Sequence, residues 1–329
     1  MMTNTVLVTG ATGFLGNHVV RRLNERGVRP RVLELRDSDR APLAGLDVDR
    51  CAGNLGEPRA VAEACDGADA LLHLGFTVSV ASGPRVRAEM QRVNVTGTQH
   101  LLECAASRGV RRVVVAGSAL GVGVNRRAQA LDEDADWARN AFDAPYAVVR
   151  RNAEQAALAR ATPGFAVMSV CPSFTLGPDD PVGAPANRLV GLVMRRRMPG
   201  TLPVGFGTLD VRDFAAGVLA AADHGRSGRR YLLSGDNVTA DRFLAEAAAV
   251  AGVRAPRLRA PIPLVRAAAA TLDLLTRLRG GTGPFDSSLL QIVGRYAWYD
   301  TARARSELGW EPRPLRQTLV DMLQAAESA

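Results

Sequence analysis

Short apolar runs alternate with amphipathic stretches through the first half of the chain. Val6, Leu7 and Val8 form a run that reads as a buried strand, after which Leu15, Val19 and Leu23 recur on one face at helical spacing. The same alternation predicts strands over Arg31 to Leu35, Ala68 to Leu74, Arg112 to Ala116 and Phe165 to Val170. Between them it predicts helices through Val61 to Ala64, over Asn94 to Ala106, and over a segment carrying Tyr146 and Arg150. Strands that alternate with helices imply parallel βαβ units, with ligands at the carboxyl ends of the strands. Pro172, Pro178, Pro181 and Pro185 break the alternation and mark a first boundary. Beyond it, Val211 to Ala222 reads as a helix and Arg230 to Leu233 as a returning strand. The remainder reads as mostly helical, including an amphipathic stretch over Leu264 to Leu278. A late helix spans Thr301 to Leu308, with Asp300 as N-cap, Gly309 as terminator and Pro312 beyond.

Where the first strand meets the first helix, the glycines are spaced Gly10, Gly13, Gly16. Strand, glycine turn and helix together make a dinucleotide site, because the glycines let backbone N–H groups approach a pyrophosphate at the positive end of the helix. Asn17 follows Gly16 where the phosphate loop of ATPases needs a lysine, which excludes that loop. The second strand ends near Glu34, about 20 residues on, where an acidic residue takes the adenosine ribose hydroxyls. Glu34 favours NAD. Arg36, able to pair a 2′-phosphate, keeps NADP as the alternative. The expected architecture is therefore α/β, a doubly wound parallel Rossmann sheet with a smaller, mostly helical C-terminal substrate domain. Residues 1–175, with a returning segment at about 209–236, make the first unit, and 176–208 with 237–329 make the second.

Composition narrows the partners. An apolar fraction of 47% and a charged fraction of 22% over 329 residues describe an ordinary globular protein with a substantial core. Met1 to Asn4 runs straight into the first strand, so no secretory signal is expected; Arg266, Asp273 and Arg277 interrupt the apolar stretch Leu264 to Leu278, so no membrane span is expected, and the expected compartment is the cytoplasm. Cys51, Cys65, Cys104 and Cys171 are scattered in apolar sequence and read as buried reduced thiols. His18, His73, His100 and His224 each stand alone, so no metal site is expected. His73 reads as a packed strand-end residue and Phe76 as a wall of the cofactor cleft. The formal charge of +8 comes from dispersed arginine doublets, which argues against nucleic acid. Arg195–Arg197 reads as a solvated helix end, with a diphosphate-bearing substrate as its alternative. No lysine occurs anywhere.

Taken in order, Thr9 to Gly16, Asn94 to Thr98, Ser118, Tyr146 with its i+4 partner, Pro172 with Gly177 to Asp179, Val211 to Asp213 and Ala302 to Trp310 carry a resemblance over nearly the whole chain. The chain resembles the extended short-chain dehydrogenase/reductase superfamily, or NAD-dependent epimerase/dehydratase family, in its dihydroflavonol-reductase-like and hopanoid-associated branch. The resemblance implies that Ser118 holds the substrate oxygen and that Tyr146 is the general acid/base. A free phenol, with a pKa of about 10, needs a nearby cation for that work near neutrality. The family uses a lysine four residues on; this chain has Arg150, which keeps the charge but not the geometry. Asn54 stands where the family has an adenine-binding aspartate.

Cofactor contacts are thereby expected from Gly10, Thr12, Gly13, Phe14, Leu15, Gly16, Glu34, Arg36, Asn54, Leu55, Leu74, Gly75, Tyr146, Arg150 and Pro172. Substrate contacts are expected from Phe76, Ser118, Phe174 and Thr175. The implied activity is NAD(P)-dependent oxidation or reduction of a carbonyl or alcohol on a small molecule, by a homodimer. Arg150 keeps two alternatives open: a redox-neutral epimerase, dehydratase or cyclase, and a non-catalytic cofactor sensor.

Overall fold

The computed structural model describes residues 5–79, 81, 83–278 and 287–328, with the side chains of positions 273, 277 and 328 left aside. Among these residues, seven strands make one parallel sheet. They are β1 (Val6–Thr9), β2 (Arg31–Glu34), β3 (Asp49–Ala52), β4 (Ala70–His73), β5 (Arg112–Ala116), β6 (Ala166–Pro172) and β9 (Arg230–Leu233). Their order is β3-β2-β1-β4-β5-β6-β9. The order reverses between β1 and β4, whose register pairs Thr9 with His73 at the carboxyl end. A crevice opens at such a reversal, and ligands of this architecture bind there.

Apart from the edge strand β3, which is mostly exposed and which the apolar pattern does not mark, the strands are buried on both faces, which is why they read as continuous Val- and Leu-rich runs instead of alternating ones. On one face, α1 (Phe14–Glu25) packs on α8 (Val211–His224), and α11 (Ala302–Leu308) follows it. Val19, Val20 and Leu23 meet Phe214, Val218 and Trp310 in that layer. The opposite face carries α2 (Pro58–Cys65), α4 (Thr98–Ser107) and α6 (Pro145–Leu158), burying Leu101, Leu102 and Ala105. The helix expected over Asn94 to Ala106 opens with a wider π turn over Arg92–Gly97. Buried Asn94 in that turn exchanges two hydrogen bonds of 2.8 Å with the backbone of Thr77. The side chain of Asp300 accepts from Ala302 N–H, but Thr301 is the capping residue of α11, which ends at left-handed Gly309 as expected.

The second half holds more β-structure than its pattern predicts. A small sheet runs β10 (Asn237–Thr239), β8 (Gly205–Asp210), β11 (Tyr296–Ala297), with β7 (Phe174–Leu176) also on β8. β7, β10 and β11, of two or three residues, are too short to show a period, and the six-residue β8 carries Gly205 and Gly207, which blur its strand pattern. Against them pack α7 (Pro185–Met194), α9 (Ala240–Val250) and α12 (Leu315–Ser328), around Phe174, Phe206 and Phe243. These rings meet edge to face with centroids 4.9–6.3 Å apart. The helices α3 (Pro84–Gln91) and α10 (Ile262–Leu278) flank a cleft, and α5 (Trp137–Asn140) is a single turn. No helix among the described residues is long and apolar enough to cross a membrane.

Candidate active site

The crossover from β1 to α1 is built so that no side chain intrudes. Gly10 has φ +74°, and a Cβ there would lie 2.6 Å from the Cα of Gly75 on the loop after β4. A Cβ at Gly16 would lie 2.0 Å from the Gly10 carbonyl oxygen. Glycine at both positions lets the first turn of α1 close on the strand end. That turn has Gly13 at its N-cap, no side-chain capping bond and no acidic residue, which leaves its N–H groups free to face an anion.

A buried polar wire holds the neighbouring strand ends. Thr98 Oγ1 donates to the Asn94 carbonyl at 2.7 Å, so it accepts from His73 Nε2–H at 2.8 Å. His73 Nδ1 is then the acceptor for Thr9 Oγ1–H at 2.7 Å, and Thr9 Oγ1 accepts from Gly75 N–H at 3.2 Å. One neutral tautomer satisfies every atom. Burial and the neighbouring Arg150 cation push the His73 pKa down to about 3 from 6.5. Because the folded state binds fewer protons here than the unfolded state, stability is full above pH 6.5 and falls as the pH drops towards 3. The loss attributable to His73 is on the order of 5 kcal/mol. Urea midpoints from pH 7 to pH 4 are expected to fall less steeply in His73→Gln than in the parent chain. Parallel slopes would remove His73 from the account.

Ser118 follows β5 and caps a 3-10 turn over Ala119–Gly121, on which α6 packs. Tyr146 stands half-buried in the first turn of α6, and Arg150 is buried one turn on. Nη2 of Arg150 donates to the carbonyls of Ala116 and Gly117, each at 2.6 Å. Its guanidinium carbon lies 3.5 Å from the centre of the Phe76 ring, which is itself 4.6 Å from the His73 ring. Nε and Nη1 are buried without a partner. Burial pulls the Arg150 pKa down, opposed by Tyr146, Cys171 and Glu154 nearby. No hydrogen bond of sound geometry joins Arg150 to Tyr146.

Glu154, one further turn along α6, escaped the sequence reading. It is buried and paired with Arg230 of β9 at 2.6 Å, and its Oε1 accepts from Cys171 Sγ at 3.0 Å. Cys171 is therefore buried as expected but not in apolar surroundings: Glu154 and Ser169 face it, and burial beside that carboxylate pushes its thiol well up. The signal was the spacing Tyr146, Arg150, Glu154, which puts three polar groups in line on a helix otherwise rich in alanine and valine. Cys51 and Cys104 are only half-buried.

The other expected residues are distributed as follows. Glu34 is buried at the end of β2, with Arg40 and Arg50 each 3.3 Å from Oε1, while Arg36 pairs with Glu57 at 2.8 Å. Asn54 accepts from Gly56 N–H at 2.8 Å and donates to Glu57. Leu55 packs beside Gly97, Leu74 is buried, and Pro172 ends β6 opposite Leu233. Thr12 is half-buried in the glycine turn, and Phe14 and Leu15 open α1. Gly10, Gly75, Phe76, Arg150 and the Ala116–Ser118 corner thus meet at the sheet reversal. Phe174 belongs instead to the aromatic trio of the second sheet, and Thr175 donates to the Ser173 carbonyl. Arg195–Arg197 is exposed beyond α7. Among the described residues no group of His, Cys, Asp or Glu has the makings of a metal site. A cleft of about 1080 Å³ lies between α3 and α10, and none of Phe76, Ser118, Tyr146, Phe174 and Thr175 lines it.

The site fits a dinucleotide on two counts: the bare glycine cradle at an uncapped helix N-terminus, and the two buried Arg150 donors that no protein atom satisfies. Comparison with known proteins agrees. The profile of the NAD dependent epimerase/dehydratase family matches residues 6–234. Sterol demethylase protein B from Methylococcus capsulatus is 33% identical over 321 residues, covering 96% of each chain. A Synechocystis protein provisionally named a dihydroflavonol 4-reductase is 31% identical over 328 residues, covering 97% of this chain and 94% of its own. The crystal structure of gox2253 superposes with a TM-score of 0.87 at 27% identity, over 99% of this chain and 98% of that one. The chain belongs to the NAD-dependent epimerase/dehydratase family, and is an α/β enzyme with NAD(P) as its cofactor.

Proposed function

We propose that the chain is an oxidoreductase acting on a carbonyl or alcohol of an apolar small molecule, with Tyr146 as acid/base and Arg150 as its cation. The observation that carries this reading is a buried, under-bonded guanidinium one helical turn from the phenol of α6 and bonded to the end of β5. The names of the two relatives, one for a reductase and one for a sterol-processing protein, support the choice of reaction and of an apolar substrate. Segments 176–208 and 237–329 are assigned the substrate, and Phe174 and Thr175 its far side.

Gly10, Gly13 and Gly16 would hold the diphosphate of the cofactor, Glu34 the adenosine ribose and Arg150 the nicotinamide ribose. When bound, the nicotinamide supplies or accepts the hydride. The remaining work falls to the chain. In the direction of reduction, Ser118 Oγ donates to the substrate oxygen and Tyr146 Oη delivers the proton that makes it a hydroxyl. Arg150 offers Nε and Nη1 to ribose while Nη2 stays on the Ala116 and Gly117 carbonyls. We assign NAD as the preferred cofactor, since an acidic residue, Glu34, closes β2 and would repel a 2′-phosphate there.

The test is absorbance at the nicotinamide band with purified protein, NADH or NADPH, and a panel of apolar ketones and aldehydes. Consumption with NADH preferred is the expected result. Cofactor binding with product formed and no net consumption would replace this reading by a redox-neutral one. Arg150→Lys is expected to leave turnover unchanged or raised, because the positive charge persists. Complete loss would show that the two carbonyl bonds, which a lysine cannot copy in one plane, are indispensable.

A further inference from the structure

The cleft between α3 and α10 is unused by the chemistry above. Four arginines line it among the described residues, Arg126, Arg266 and Arg295 among them, and no carboxylate does. Arg126 and Arg266 are exposed and have no acidic partner among the described residues, whereas Arg295 donates to the Ala141 carbonyl at 3.1 Å. Those two arginines come from separate walls, Arg126 from the loop that pairs at Asn125 with Tyr296, and Arg266 from α10.

Thr276, Ser287, Ser288 and Gln291 add neutral polar groups to the lining, and Ile262, Val265, Ala269, Leu290 and Val293 give it an apolar side. Ile262, Val265, Arg266 and Ala269 fall at i, i+3, i+4 and i+7, one face of α10, and that face is the one turned to the cleft. Ile262, Val265 and Ala269 are half-buried, and no described side chain of α10 is fully buried. A helix with an apolar stripe ordinarily hides it in a core. Here the stripe faces Val293 across open space large enough for a small-molecule ligand.

An apolar helix face beside two guanidinium groups with no acidic partner among the described residues selects one kind of occupant. We propose that this cleft binds an anionic amphiphile, a molecule with an apolar body held by Ile262, Val265 and Val293 and a phosphate or carboxylate held by Arg126 and Arg266. Arginine suits either anion because its planar fork bonds two oxygens at once. The inference goes beyond the oxidoreductase reading, because the cleft holds none of the residues assigned to that chemistry. It stands apart from that reading, since binding is measured without cofactor or turnover.

Calorimetry on the full chain with decyl phosphate, kept below its micellar concentration, is the test, with decanol and inorganic phosphate as comparators. Saturable binding of decyl phosphate at least tenfold tighter than either comparator is expected. The Arg126→Ala/Arg266→Ala double variant, altered only at exposed positions, is expected to lose at least tenfold in decyl phosphate affinity and nothing for decanol. Val265→Asp is expected to weaken both alkyl probes. No binding, equal affinity for decyl phosphate and either comparator, or an unchanged affinity in the double variant would each overturn the proposal. Should decyl phosphate bind as expected while neither nicotinamide cofactor binds, the cleft assignment stands and the enzymatic reading falls.

Discussion

Tyr146→Phe is expected to lower kcat by about 10²–10⁴-fold while leaving cofactor affinity close to that of the parent. The variant removes one oxygen from a half-buried position in the first turn of α6, so the fold has little reason to change. What disappears is the proton delivered to the substrate oxygen. Arg150 cannot supply it, because a guanidinium does not give up its proton in the working pH range. The measurement is steady-state turnover alongside cofactor titration by fluorescence. A variant with parental kcat would remove Tyr146 from the chemistry, and a variant that lost cofactor binding together with kcat would make the phenol a ligand of the ribose.

The largest effect on stability is expected from Glu154→Leu. This carboxylate is buried and is bound by Arg230 through two hydrogen bonds, at 2.6 Å and 3.1 Å, as well as by Cys171. Removing it strands the Arg230 guanidinium, which is only 13% exposed, in a low-dielectric layer between α6 and β9. Breaking one side of such a pair costs roughly 3–5 kcal/mol, whereas replacing both sides by apolar groups of like volume is often neutral. The double variant Glu154→Leu/Arg230→Met is therefore expected to recover most of the loss. Urea unfolding at unchanged m-value reads both. A single variant as stable as the parent would mean that water already reaches Arg230.

Much of the fold was legible because every strand of the main sheet except the exposed edge strand β3 is buried on both faces. Arg112–Ala116 and Arg230–Leu233 appear in the structure over the residues that the apolar pattern marked. The glycine turn was legible for a stereochemical reason, since only glycine permits the approach of Gly10 to Gly75 and of Gly16 to Gly10. The second sheet was not, because β10 and β11 are shorter than one period of alternation can reveal and the longer β8 is interrupted by Gly205 and Gly207. Within the site, Tyr146 and Arg150 were readable as neighbours on a helix. The bonds from Arg150 to Ala116 and Gly117 were not, since they join positions more than 30 residues apart. Glu154 needed the same long-range knowledge: its partner Arg230 lies 76 residues away. Cys171 misled because it sits in a mostly apolar strand while the carboxylate it donates to, Glu154, lies 17 residues away in sequence.

A flexible side chain standing alone on a helix would carry its charge through several rotamers, and a ligand would have to arrest it. Arg150 is already arrested, gripped by the terminus of β5 and roofed by Phe76. Its rotamer freedom, on the order of 2 kcal/mol for so long a side chain, is surrendered when the chain folds and not when the cofactor arrives. The position of the cation is thus inherited from the stiffness of the sheet, and a displacement at the end of β5 would be transmitted directly to it.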